Sequence, residues 1–282
     1  MKPTDERQKG PLISIIIAVF NGAAHLQRSI ASVINQTYPN KELVIIDGGS
    51  SDGTVNIIKA YNQAIAYWET QPDRGIYHAW NKALNHTKGD WIYFLGSDDY
   101  LRHANIFRDI VPYLEKYTLK TRIVYGRVNL VTDDGKVIMT YGEPWNRIRK
   151  RFKEVMCIPH QGVFHHRTLF ELHGKFDESY QIAGDYEMLL RELKTNWAGF
   201  VSDMMVANMQ IGGMSSNPSY SIYALREFAR ARKDNGIPNI SFLWSWTYLK
   251  ANVRYLLSVH LGQKRAKKVA NIYRKLTNRH PT

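Results

Sequence analysis

Acidic and small polar residues follow three hydrophobic runs of this 282-residue chain, at the points where the runs end. They lie in the segments Phe20–Gly22, Asp47–Ser50 and Ser97–Asp99. If the runs are parallel strands, their carboxyl ends meet at one edge of a sheet, where such sheets bind ligands. Adjacent Asp98 and Asp99 repel each other unless a cation or hydrogen-bond donors compensate, and oxygen-only ligands suit Mg²⁺ or Mn²⁺. The alternative is that the two aspartates only cap the following helix.

The glycine-rich segment Asp47–Thr54 matches neither of two common nucleotide-binding loops. It lacks the Gly-Lys-Ser/Thr ending of a Walker loop and the Gly-x-Gly-x-x-Gly pattern of a dehydrogenase. Its Gly, Asp and Ser residues also suit an ordinary turn that caps a helix near Thr54. The segment therefore disfavours a dehydrogenase and, taken alone, is compatible with a structural turn.

Alternating strands and helices are predicted to position these residues. Apolar runs at Leu12–Val19, Glu42–Ile46 and Trp91–Leu95 predict strands that are buried on both faces, as in a parallel sheet. Apolar residues at helical spacing between them predict helices, so the N-terminal half is an α/β sheet with parallel strands. Further strands are predicted near residues 65–68, 122–130, 136–141 and 199–209, and further helices near 55–58, 76–84, 103–117, 185–193, 220–234, 241–260 and 263–277.

Seven segments, in order along the chain, are similar to those of one known family. Ser14–Asn21, Asn35–Thr54, Asp73–Ala83 and Gly89–Asp99 resemble the first four blocks of family 2 glycosyltransferases of the GT-A fold. Three shorter segments follow in the family's order: Pro159–Gln161, Gly174–Glu178 and Ala183–Glu187. The resemblance covers roughly residues 11–215. It implies a GT-A fold, which is a Rossmann-like and mostly parallel central sheet flanked by helices.

The resemblance also implies a nucleotide-diphosphate-sugar donor, usually a UDP-sugar, and a divalent metal, Mn²⁺ or Mg²⁺. It implies that Asp47 faces the nucleobase and that Asp73 belongs to the same nucleoside pocket. In the signature Ser97-Asp98-Asp99, it assigns Asp98 to the ribose and Asp99 to the metal. Phe20 and Asn21, after the first strand, are expected to bind the donor nucleotide too.

Asp185 matches the position of the family's catalytic base, at the start of a helix. Sugar transfer needs a base for the acceptor hydroxyl, and a positioned carboxylate contributes typically ~10²–10⁴-fold to the rate. Gly184 stands where the family usually has a second acid. The resemblance implies inversion by direct in-line attack. The alternative role for Asp185 is that of a helix cap.

Two further features have both a functional and a structural interpretation. His160 and Gln161 could line the acceptor side of the cleft, although a lone histidine is more often structural. The segment Gly212–Ser215 could close over the donor, or it could be an ordinary turn.

The net charge of +13 is concentrated near the C-terminus. Residues 223–282 hold thirteen Lys and Arg against two acids, a net +11 that leaves +2 for residues 1–222. This shift in composition predicts a catalytic domain at 1–217 and a basic, amphipathic helical extension at 218–282. Within the former, residues 11–100 would bind the nucleotide sugar and 101–217 would supply the base and the acceptor side.

The extension carries an apolar stripe at helical spacing, formed by Phe242, Trp246, Leu249, Val253, Leu256 and Leu257. Tryptophan and tyrosine residues accompany it, and a polybasic segment follows. These features fit peripheral binding to anionic lipids. The alternative is that the stripe packs on the catalytic domain or on a second subunit. Nucleic-acid binding is disfavoured, because no recognised motif accompanies the charge.

The sequence therefore predicts an inverting, metal-dependent glycosyltransferase of surface-polysaccharide biosynthesis that uses a glycan or lipid-linked acceptor. The lone Cys157 excludes an intramolecular disulfide framework, and no apolar run is long enough for a membrane span. We expect a cytoplasmic protein whose extension contacts the inner face of the cell membrane. The alternatives are a nucleotidyltransferase and a catalytically dead module that binds membranes or nucleic acids.

Overall fold

A computed structural model describes residues 10–212, 218–237, 244–246 and 248–253 of the chain. Its strands are β1 (Ile13–Val19), β2 (Lys41–Asp47), β3 (Tyr67–Thr70), β4 (Trp91–Phe94), β5 (Tyr100–Leu101), β6 (Ile123–Val131), β7 (Val137–Tyr141), β8 (Val163–His166) and β9 (Gly199–Gln210). Its helices are α1 (Leu26–Ile34), α2 (Thr54–Ala60), α3 (Ile76–Leu84), α4 (Ile106–Tyr117), α5 (Trp145–Phe152), α6 (Thr168–His173), α7 (Gly184–Leu193) and α8 (Pro218–Asp234).

These strands form a nine-stranded sheet in the order β3-β2-β1-β4-β8-β6-β9-β5, with β7 paired to β6. The strands β3, β2, β1 and β4 are parallel, which confirms the α/β prediction for the N-terminal half. Beyond β4 the sheet is mixed, because β8 is antiparallel to both β4 and β6 while β9 runs parallel to β6.

Alternate residues of β1 are buried on opposite faces of the sheet. Ile13, Ile15 and Ile17 belong to a core shared with α1, α2 and α4, while Ile16 belongs to a core shared with α3, α5, α6 and α7. Because side chains alternate along a strand, a run of β-branched residues fills both layers at once. The parallel strands are thereby covered on both faces, and their polar loops remain at the carboxyl edge.

The second half of the chain contains elements that sequence patterns did not predict. The strands predicted near 122–130 and 136–141 are β6 and β7, which pair as an antiparallel hairpin. Helix α5 and strands β5 and β8 were missed. β5 has two residues, β8 has four that include two histidines, and α5 is strongly basic with three buried apolar side chains. Elements this short show too few periods of the apolar pattern to be recognised.

The predicted helix near 220–234 is α8, and it packs against α7. Ile222, Leu225 and Ala231 are buried there. In the predicted helix 241–260, residues 244–246 and 248–253 are helical and the rest lie outside the described residues. The predicted helix 263–277 and most of the loop Gly212–Ser215 also lie outside them.

Candidate active site

The loops that follow β1 and β2 are joined by hydrogen bonds. Parallel pairing sets Val19 beside Asp47, so both loops begin at the same level of the sheet. The N–H of Asn21 donates to Ser50 Oγ at 2.7 Å, and Asn21 Oδ1 accepts from the N–H of Ser51 at 3.0 Å. Asn21 has a φ of +49°, a left-handed conformation that asparagine tolerates better than most residues. Asn21 therefore ties together the two loops that are predicted to meet the donor.

The carboxylate of Asp47 is fully buried and faces its own loop. Its Oδ2 accepts from the N–H groups of Gly49 and Ser50 at 3.2 and 3.0 Å and from the Thr70 hydroxyl at 2.6 Å. Its Oδ1 accepts from the Ser50 hydroxyl at 2.5 Å. Asp47 therefore shapes the loop, and its predicted contact with the nucleobase stays a prediction.

Phe20, Gly48 and Asp73 lie together beside these loops. A Cβ atom at Gly48 would lie 2.7 Å from Asp73 Oδ2 and 3.4 Å from the Phe20 ring, so a larger residue there would displace the Asp73 carboxylate. The Phe20 ring is 65% exposed. An exposed aromatic ring can stack on a base, and a carboxylate can accept hydrogen bonds from a nucleoside. The structure thus brings together two of the predicted donor-binding residues.

Asp98 and Asp99 follow β4 and differ in burial. Asp99 is 2% exposed, and its Oδ1 accepts the N–H of Gln210 at 2.8 Å. The side chain of Gln161 lies close to Asp99 and opposes the rise of its pKa. Asp98 is half-buried. Burial, together with the neighbouring Asp98 carboxylate, raises the pKa of Asp99 to about 7.

The acidic pair has the chemistry of a partial cation site. Across the described residues, no group of three or more His, Cys, Asp and Glu side chains is arranged to hold a metal ion. Two adjacent carboxylates nevertheless fit a Mg²⁺ or Mn²⁺ ion that takes its other ligands from water and phosphate oxygens. A cation beside Asp98 and Asp99 would relieve the repulsion that contributes to the high pKa of Asp99.

Sequence reasoning missed two residues that support this pair. Arg28 on α1 donates to the carbonyl of Asp98 at 3.2 Å and to Gln210 Oε1 at 3.0 Å, and its guanidinium lies 4.3 Å from the centroid of the Tyr100 ring. The Gln210 amide in turn donates to Asp133. Each is a single polar side chain whose partner lies far along the chain, so no local pattern marks it.

Asp185 lies in the first turn of α7 and contacts α3. Its Oδ1 accepts the N–H of Tyr186 at 2.8 Å and lies 3.4 Å from the Tyr77 hydroxyl. That hydroxyl also donates to the carbonyl of Ile182 at 2.7 Å. Burial raises the pKa of Asp185 to about 6. Because α3 begins just after the Asp73 loop, this helix links the predicted nucleoside residues to the predicted base.

His160 and Gln161 occupy different environments although they are adjacent. His160 is 8% exposed and stacks on Trp80, with ring centroids 5.1 Å apart. Burial, with a smaller contribution from His165, holds the pKa of His160 well below its usual range, so the ring is neutral. This environment matches the structural interpretation of His160. Gln161 instead contacts Asp99 and lies beside the acidic pair.

Comparison with known proteins identifies the family of this chain. The model of the family described as Glycosyl transferase family 2 matches residues 14–171, which is more than half of the chain. The chain belongs to this family. It is therefore a glycosyltransferase, and the family favours sugar transfer over the nucleotidyl transfer that the sequence left open.

Relatives and solved structures agree with this assignment. A PGL/p-HBAD biosynthesis glycosyltransferase of Mycobacterium tuberculosis is 31% identical over 186 residues, which cover 64% of this chain and 69% of the relative. The mannosyltransferase PcManGT from Pyrobaculum calidifontis, in complex with GDP-Man and Mn²⁺, superposes with a TM-score of 0.64 at 17% identity over 97% of this chain and 82% of that one.

S. aureus TarS 1-349 in complex with UDP superposes with a TM-score of 0.59 at 17% identity. The match covers 78% of this chain, which spans 65% of the TarS chain. These structural likenesses concern the fold, and they confirm the predicted GT-A architecture.

Proposed function

We propose that the protein is an inverting, metal-dependent glycosyltransferase. It would move a sugar from a nucleotide-diphosphate sugar, with a UDP-sugar as the first candidate, to a hydroxyl of a glycan or lipid-linked acceptor. The observation that carries this proposal is the environment of Asp185. Its half-buried carboxylate has a pKa of about 6 and is connected through α3 to the nucleoside side of the site. A base with such a pKa is largely ionised at neutral pH and still accepts a proton readily.

A single carboxylate suffices for the inverting reaction. The Asp185 carboxylate takes the proton of the acceptor hydroxyl, and the acceptor oxygen forms a bond to the anomeric carbon of the donor sugar. The bond from that carbon to the diphosphate oxygen breaks on the opposite face, so the configuration inverts. The electron pair of the broken bond leaves with the nucleoside diphosphate, whose charge the site must compensate.

Asp98 and Asp99 are the residues that would hold a Mn²⁺ or Mg²⁺ ion. When bound, such an ion supplies positive charge that compensates the departing diphosphate. The sequence assigned the metal to Asp99 and the ribose to Asp98. Because Asp99 is the more buried and bonds to Gln210, we propose that Asp98 makes the direct contact and that Asp99 supports it.

The proposals for the donor and for the acceptor rest on different observations. Phe20 and Asp73 offer a ring and a carboxylate to a nucleoside, and Asn21 and Asp47 hold the loops that carry them. TarS binds UDP and PcManGT binds GDP-Man with Mn²⁺, which supports a nucleotide-diphosphate sugar. The mycobacterial relative is named for PGL/p-HBAD biosynthesis, which supports an acceptor that is an intermediate of a biosynthetic pathway. We propose that the pathway of this protein is surface-polysaccharide synthesis.

We also propose that residues beyond α8 bind an anionic membrane surface. Trp246, Leu249 and Val253 are 43%, 52% and 48% exposed, and Lys250 lies 5.0 Å from the Trp246 ring centroid. We call these four residues the tail face, since their spacing places them on one side of a helix. About half of the surface of each apolar member is exposed, which favours an external partner. The net +11 of residues 223–282 favours an anionic one.

The test of the main proposal is a screen of sugar nucleotides for hydrolysis and transfer, with and without Mn²⁺. We expect one UDP-sugar to be turned over. Asp185→Asn should bind this donor as the wild type does and lose transfer by about 10²-fold or more. The matched control is Asp203→Asn, an exposed carboxylate on β9. Full transfer by Asp185→Asn would refute the base assignment.

A further inference from the structure

Helix α8 lies against the segment that leads into α7, which we call the base loop (residues 177–185). α8 is outside residues 14–171, the stretch that the family model matches. Arg230 of α8 donates to Ser179 Oγ at 2.6 Å, and Asp234 accepts from the Tyr180 hydroxyl at 3.0 Å. The helix therefore contacts the base loop at several points upstream of Asp185.

The most specific of these contacts is made by Glu227. Its side chain is 5% exposed, and its carboxylate accepts three backbone N–H groups of the base loop. Oε1 accepts from Gln181, and Oε2 accepts from Ile182 and Ala183, each at 2.8 Å. Hydrogen bonds to a carboxylate are about twice as strong as those between neutral groups. Three of them converge immediately before Asp185.

Side chains of two other helices fix the backbone at the entry to α7. Ala183 is the residue that precedes α7, and its methyl side chain makes no capping hydrogen bond. Glu227 therefore binds, from another helix, the N–H groups of the three residues that lead into α7. On the other side of the loop, the Tyr77 hydroxyl holds the carbonyl of Ile182 at 2.7 Å. The backbone just before Asp185 is thus held between α3 and α8.

We propose that Glu227 is a positioning residue for sugar transfer: it fixes the base loop so that the Asp185 carboxylate meets the acceptor hydroxyl, and it makes α8 part of the catalytic unit. The inference rests on the proposed function, because it takes Asp185 as the base. Displacing a catalytic group by about 1 Å can cost ~10²-fold in rate. A loop held through three backbone N–H groups is a means of preventing such a displacement.

The charge of Glu227 provides a readout that packing alone does not. The groups that face Asp185 are the Tyr77 hydroxyl from α3, the Glu227 carboxylate from α8 and the N–H of Tyr186 from its own helix. Burial raises the pKa of Asp185 most, and the negative charge of Glu227 raises it further. Removing that charge should lower the pKa of Asp185. The acidic limb of the profile of kcat against pH, where kcat falls as Asp185 is protonated, should then move to lower pH.

The experiment compares Glu227→Gln and Glu227→Ala with the wild type in the full chain. Gln keeps the shape and one acceptor oxygen, but its NH₂ group faces an N–H donor; Ala removes every acceptor. We expect kcat to fall by about 10- to 100-fold, more for Ala than for Gln, with the donor KM within about twofold. The acidic limb should move to lower pH in both. Asp203→Asn, which removes an exposed carboxylate of β9 outside the base loop, is the control and should leave that limb in place.

Unchanged kcat in folded Glu227→Gln and Glu227→Ala would overturn the proposal. So would a loss of kcat that follows a loss of thermal stability while the acidic limb stays in place, because that is a purely structural effect. Independently of the variants, we expect slow hydrogen exchange at the amides of Gln181, Ile182 and Ala183, and fast exchange would overturn the proposal too. Failure of the proposed function is seen separately, as full transfer by Asp185→Asn.

Discussion

The aspartates of this site differ in role because they differ in surroundings. Asp47 gives its oxygens to its own loop, and Asp99 gives one to the backbone of β9. Asp98 remains half-buried beside Asp99, while Asp185 is held against α3 with a pKa of about 6. Buried carboxylates that are bonded to backbone N–H groups build the site. Those that keep an accessible oxygen are available to a cation or to a proton.

At the residue scale, we first predict that Asp98 and Asp99 have different roles in metal binding. Asp98→Asn should abolish the effect of Mn²⁺ on UDP binding, because it removes the more accessible carboxylate. Asp99→Asn should weaken Mn²⁺-dependent binding by about 10- to 100-fold and keep the dependence, as is typical of residues that support a metal ligand. Calorimetric titration of UDP with and without Mn²⁺ measures both effects. The reverse order, with Asp99→Asn abolishing the dependence, would restore the direct contact to Asp99.

The second prediction concerns pH. Because burial raises the pKa of Asp185 to about 6, its carboxylate is protonated below that pH and cannot act as a base. We therefore expect kcat to be constant above neutrality and to fall as the pH drops through about 6. Tyr77→Phe removes a hydroxyl that lowers this pKa, so its acidic limb should move to higher pH. An acidic limb near pH 4 in the wild type would contradict the assignment.

At the scale of elements, the sequence predicted the secondary structure where an apolar run was long or where a motif covered many residues. The β1 run alternates between two cores over seven residues, so its burial on both faces was predictable. The loops after β1, β2 and β4 could be placed at one edge because parallel strands end together. β8 was not predictable, since its four residues are fixed by pairing with β4 and β6.

Helix α8 shows that the net charge of a segment does not reveal which of its residues are buried. Its composition assigned it to a basic extension, yet Glu227 and Ala231 are buried against the α7 region. A net charge describes a surface, whereas packing depends on single residues at helical spacing. The Glu227 contact could not be predicted, because its partners are backbone N–H groups that carry no sequence signal.

The prediction at this scale concerns the contact between α3 and α7. A Cβ atom at Gly184 would lie 2.8 Å from the buried Tyr77 ring, which explains why no side chain stands there. Gly184→Ala should therefore destabilise the fold by ~1–3 kcal/mol and lower kcat, because Tyr77 must move. Urea unfolding and transfer assays measure the two effects. In the double variant with Tyr77→Leu, which makes room, the losses of stability should be less than additive; full additivity would contradict the steric explanation.

At the scale of the whole molecule, charge and catalysis belong to different parts of the chain. Residues 1–222 have a net charge of +2 and contain the acidic pair and Asp185, so the anionic donor is not attracted by bulk positive charge there. The excess of basic residues lies from 223 onward and begins within α8, which also holds the base loop. No described helix is long and apolar enough to cross a bilayer. Removing everything after Asn217 would delete Glu227 together with the tail face, so membrane binding must be tested by substitution.

Leu249→Ser with Val253→Ser in the full chain provides that test. Burying these two side chains in the interfacial region is worth ~1.5–3 kcal/mol each, so binding to vesicles that contain phosphatidylglycerol should weaken by about 10-fold or more. Leu119→Ser with Leu172→Ser, at positions that are 97% and 59% exposed elsewhere on the protein, is the matched control and should float as the wild type does. Wild-type binding should also weaken with salt and on phosphatidylcholine vesicles, because the basic residues need an anionic surface. Unchanged flotation of the Leu249/Val253 variant would refute membrane binding by the tail face. A fall in its molar mass in solution would show that a second copy of the chain covers this face instead.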